Sequence, residues 1–144
     1  MNVPEACERA LRDGLIAAGI TGTFRCFRLD DVTIEATEPT ASTVIGIMAS
    51  PDTARGYKDP ARTVPIYLML STYYADDPKH ATLVAQETAV RNALEAEGFA
   101  SQFAGTSVTY NAIIFTDSPP PIVDMNMSMI ELSIELYVCA AWAT

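Results

Sequence analysis

Residues 130–142 read Ile130-Glu131-Leu132-Ser133-Ile134-Glu135-Leu136-Tyr137-Val138-Cys139-Ala140-Ala141-Trp142. Apolar residues at the even positions alternate with Glu131, Ser133, Glu135, Tyr137 and Cys139, the period of a strand with one face on a core. At about thirteen residues it exceeds the usual five or six. Part of it is expected to reach past the domain and lie against something else.

Working back from this strand, Val108 to Phe115 is rich in β-branched and aromatic residues and is broken by Ser118-Pro119-Pro120-Pro121. Val64, Ile66, Leu68 and Leu70 alternate with Pro65, Tyr67, Met69 and Ser71, a strand apolar on most of both faces and so expected to be central or covered twice. Phe24 and Cys26, then Val32, Ile34 and Ala36, then Val44 to Met48, give two or three further strands.

Two helices are expected. Pro4 suits a first turn, Val3, Cys7, Leu11, Leu15 and Ala18 follow at helical spacing, Glu5 and Glu8 complement the N-terminal dipole, and Gly19 stops the helix. The second is entered through Asp77-Pro78, with Leu83, Val90 and Leu94 on one face and Ala89 and Ala93 beside them; Gly98 ends it and Phe99 folds back on the last turn. The fold class is α+β: a mostly antiparallel sheet with two main helices packed on it, as a single domain over residues 1–144, with a flexible loop at about 50–63.

The length of 144 residues and an apolar fraction of 49% suffice for a core without metal or disulfide staples. Nine Lys and Arg against eighteen Asp and Glu give a net charge of −9, which argues against a surface that grips nucleic acid or an anionic membrane. Cys7, Cys26 and Cys139, odd in number and set among apolar neighbours, read as buried free thiols of a reducing compartment. The N-terminus has no basic leader, and the apolar stretch from Gly14 to Ile20 is too short to span a bilayer, so a cytoplasmic chain is expected.

Motifs for catalysis are not found. His80, the one histidine, falls at the entry of the second helix beside Asp76 and Asp77, where a helix cap is the preferred reading and a metal site the alternative. No Gly-x-Ser-x-Gly elbow supplies a nucleophile, Gly19 and Gly22 follow a helix instead of opening one, and Asp30-Asp31 reads as a solvated turn. No catalytic residue, metal or cofactor is therefore expected.

Two features point to contacts between proteins. Arg55, Lys58 and Arg62 place a third of the cations in one loop, whereas no Lys or Arg follows Arg91, a polarity that suits head-to-tail pairing of copies. Met125, Met127 and Met129, spaced by two, lead into the long strand on the face of Glu131 and Glu135, an adaptable contact surface or ordinary core filling. These eight residues are the candidate subunit interface.

The order of elements, the size and the segment from Tyr73 to His80, with its Asp-Asp-Pro-Lys-His helix entry, resemble the tail terminator or tail-completion proteins of tailed bacteriophages, of the minor tail protein U type. The resemblance covers nearly the whole chain and carries over no functional residue. It implies a homo-oligomeric ring, a hexamer, that caps the tail tube and meets the head-connector protein. DNA would pass through its channel without specific binding, and the protein would belong to the virion tail or neck after assembly in the host cytoplasm. The alternative is a small ligand-binding or enzymatic α+β domain with a pocket near His80.

Overall fold

The computed structural model describes residues 3–29, 44–50, 53–54, 61–73, 81–104, 108–116, 122–124 and 129–142. Across residues 53–54, 61, 73, 122–124 and 129–142 the description is of the backbone.

Helix α1 spans Val3–Ala17 and buries Val3, Cys7, Leu11 and Leu15, the stripe its sequence spacing predicts. Gly19 at φ 83° ends it, with Ile20 N–H donating to the Leu15 carbonyl and Gly19 N–H to that of Ile16, the paired bonds of a Schellman ending. Strands β1 (Thr23–Cys26), β2 (Val44–Ala49), β3 (Thr53–Ala54) and β4 (Ala61–Tyr73) follow, then helix α2 (Ala81–Glu95) and a 3-10 helix (Glu97–Phe103). Strands β5 (Val108–Phe115), β6 (Ile122–Asp124) and β7 (Met129–Trp142) complete the order.

The sheet runs β1-β2-β4-β7-β5, with β3 paired to β4 and β6 to β7. Every pairing is antiparallel except the parallel contact of β1 with β2. The fold is thus α+β, with β4 central as its apolar faces predict.

The register assigns the faces. Ile45, Ile47 and Ala49 of β2 stand opposite Leu70, Leu68 and Ile66 of β4, which stand opposite positions 132, 134 and 136 of β7. Against these aliphatic rows pack α1 and α2, the latter through Leu83, Val90 and Leu94, all buried. Burying a side chain of this size contributes about 1.5–3 kcal/mol, so these rows with the helix stripes form the main cohesive layer.

Three expectations need correction. The strand β7 does not overreach: Met129 to Ala141 pair without a break to Tyr73 through Ala61, so its length is satisfied inside the sheet. The loop expected over 50–63 is partly strand, since Thr53 and Ala54 pair with Thr63 and Arg62 and β4 begins at Ala61. Thr53 and Thr63 carry strand preference that the neighbouring Pro and Gly residues hid in the sequence.

Gly98 does not cap α2. The helix ends at Glu95, and Gly98 falls within the 3-10 helix, whose Phe99 and Phe103 are buried. Phe99 does fold back, but onto α1, where Gly14 leaves room: a Cβ there would meet the Phe99 ring at 3.0 Å. Phe99, Phe103 and Tyr110 of β5 form an aromatic trio with ring centroids 5.2 to 5.8 Å apart, tying the 3-10 helix to the sheet.

Strand β6 runs antiparallel to β7, with Asp124 opposite Met129. Met129, of the three spaced methionines, opens β7. Met125 and Met127 lie outside the described residues, as do Val32, Ile34, Ala36, Asp30, Asp31, Asp76, Asp77 and the three prolines.

Candidate functional site

Arg62 lies on β4 opposite Ala54 and Ala140, while Arg55, Lys58 and His80 lie outside the described residues. Positions 131 and 135 of β7 stand opposite Ser71 and Tyr67. Alternation along an unbroken ladder puts Arg62 on the helix-bearing face and positions 129, 131 and 135 on the other. Nine residues of strand separate Arg62 from Ser71, about 30 Å, so the structure does not bring Arg62 and Glu131 together within one molecule.

The second face of the sheet divides in two. Around position 131 it is closed: Val44, Met69 and Ser71 are buried, and the Ser71 hydroxyl has no hydrogen-bond partner among the described residues. Toward position 135 it is open, with Tyr67 37% and Ile114 53% exposed, and with Met48 and Pro65 half-buried. Cross-strand pairing sets these in two rows, Met48–Tyr67–Glu135 and Pro65–Tyr137–Ile114. The sequence reading singled out position 135 but missed Met48, Tyr67 and Ile114. Their odd placement in otherwise apolar strands was the available signal.

A second feature the sequence reading missed is Glu8. Instead of complementing the helix dipole in solvent, it is fully buried and reaches across to the sheet. Its Oε1 accepts from the N–H of Arg28 at 2.8 Å and of Leu29 at 3.3 Å, and its Oε2 from the N–H of Ala49 at 3.0 Å. Arg28 Nε donates to the Ala49 carbonyl at 2.7 Å, and the Cys26 thiol to the Glu8 carbonyl at 3.8 Å. One carboxylate thus joins α1, the turn after β1 and the end of β2. Burial raises the Glu8 pKa above its ordinary 4.5, opposed by the three backbone N–H groups and by the Arg28 charge. The spacing of Pro4, Glu8, Leu11 and Leu15 on one helical stripe was the sign that Glu8 faces inward.

A shallow cleft of about 230 Å³ lies between the C-terminal turns of α1 and α2, lined by Gly14, Ala17, Ala93, Ala96 and Phe99 among others. It sits at the end of α2 remote from Ala81, about 18 Å along the axis, and its wall holds no ionisable side chain. Among the described residues no three His, Cys, Asp or Glu are grouped to hold a metal, and Cys7 and Cys26 are buried thiols outside any disulfide. No helix among them is long and apolar enough to cross a membrane.

No family model matches the chain, and neither does any curated protein. Among solved structures it matches a chain described as belonging to the "Virion of native gene transfer agent (GTA) particle", with a TM-score of 0.60 and 16% identity. The match covers 96% of this chain and 97% of that one, so the two share a fold from end to end.

Proposed function

We propose that this chain is a structural assembly protein of a phage-type virion, forming a ring that caps the tail tube and joins it to the head connector, with a channel for DNA. The carrying observation is the end-to-end fold shared with a chain of a gene transfer agent virion. Three features support the finer reading. The element order resembles tail terminators, and the net charge of −9 suits a channel along which a duplex slides without adhering. An open apolar strip on the sheet supplies a contact surface of the kind that assembly needs. The role is structural and not catalytic, with other virion proteins as partners and the tail or neck as its place.

The test is sedimentation of the purified chain, alone and with isolated tail tubes, followed by electron microscopy of particles lacking it. A ring, bound at the tube end, with tails of unregulated length and no heads attached when the chain is absent, is the expected result. A chain that stays monomeric and ignores tubes would overturn the reading.

A further inference from the structure

We draw no further inference here: the strongest candidate, the shallow apolar cleft between the C-terminal turns of α1 and α2, is a surface of small residues beside Phe99, and nothing in the structure shows what covers it.

Discussion

The two faces of β4 are made from the same thirteen residues and behave oppositely. On one, Val64, Ile66, Leu68 and Leu70 are sealed beneath α1 and α2. On the other, Pro65 and Tyr67 are left partly in solvent while Met69 and Ser71 are buried. Hydrophobicity alone does not separate them, since Tyr67 and Met69 are as compatible with a core as with a surface. The difference is that one face has helices with matching stripes to cover it, and the other has only partial cover.

The comparison breaks most visibly at Leu68, fully buried at the centre of the helix-bearing face. Leu68→Ala should cost about 2–5 kcal/mol through lost transfer energy and the cavity left behind, read by urea denaturation at unchanged slope. A loss below about 1 kcal/mol would mean the layer re-collapses and is not packed as described.

Next comes Gly14→Ala, whose new methyl would crowd the Phe99 ring at 3.0 Å. The expected loss is about 1–3 kcal/mol, with recovery on adding Phe99→Leu, because overpacking and a smaller partner offset each other. Two independent, additive losses in the double variant would show that the ring is not the obstacle.

Glu8 sharpens the comparison by its pH dependence. A folded pKa raised above the ordinary 4.5 means that the folded state holds the proton more tightly. Its contribution is therefore full below 4.5 and is lost as pH rises through the folded value. Glu8→Gln should cost about 1–2 kcal/mol, because an amide N–H must face a backbone N–H, and the gap to wild type should narrow as pH rises. A gap that widens with pH would reverse the assignment.

The smallest effect belongs to the open strip. Ile114→Ser should shift stability by no more than about 0.5 kcal/mol, a result to be checked by thermal melting beside Leu68→Ala. A loss as large as that of Leu68 would mean this face is core.

How much of this was legible in the sequence follows from periodicity. The stripe of α1, the alternation of β4 and β7 and the inward residues of α2 were readable because each repeats a spacing several times. The 3-10 helix was not, because two phenylalanines four apart give too short a pattern and Gly98 imitates a helix stop. β3 was hidden because a two-residue strand has no period at all. At the site, Glu135 was readable as a charge on an alternating strand, but its neighbours Tyr67, Met48 and Ile114 come from three other strands, and only the register brings them into rows. Glu8 was misjudged because a charge near a helix start usually faces water, and its three backbone donors come from segments 20 and 41 residues away.

The ladder between β4 and β7 bears on how the chain reaches this state. Tyr73 meets Met129 and Ala61 meets Ala141, so each bond of the central ladder joins positions more than fifty residues apart. Closing such a loop costs entropy before any contact repays it, so this ladder should set a slow folding rate. Until it closes, β4 has β2 on one side and a bare edge of thirteen residues on the other. A bare apolar edge of that length invites pairing between molecules. Refolding yield should fall steeply with protein concentration, and a cell making many copies at once would have reason to hold them apart until β7 is in place.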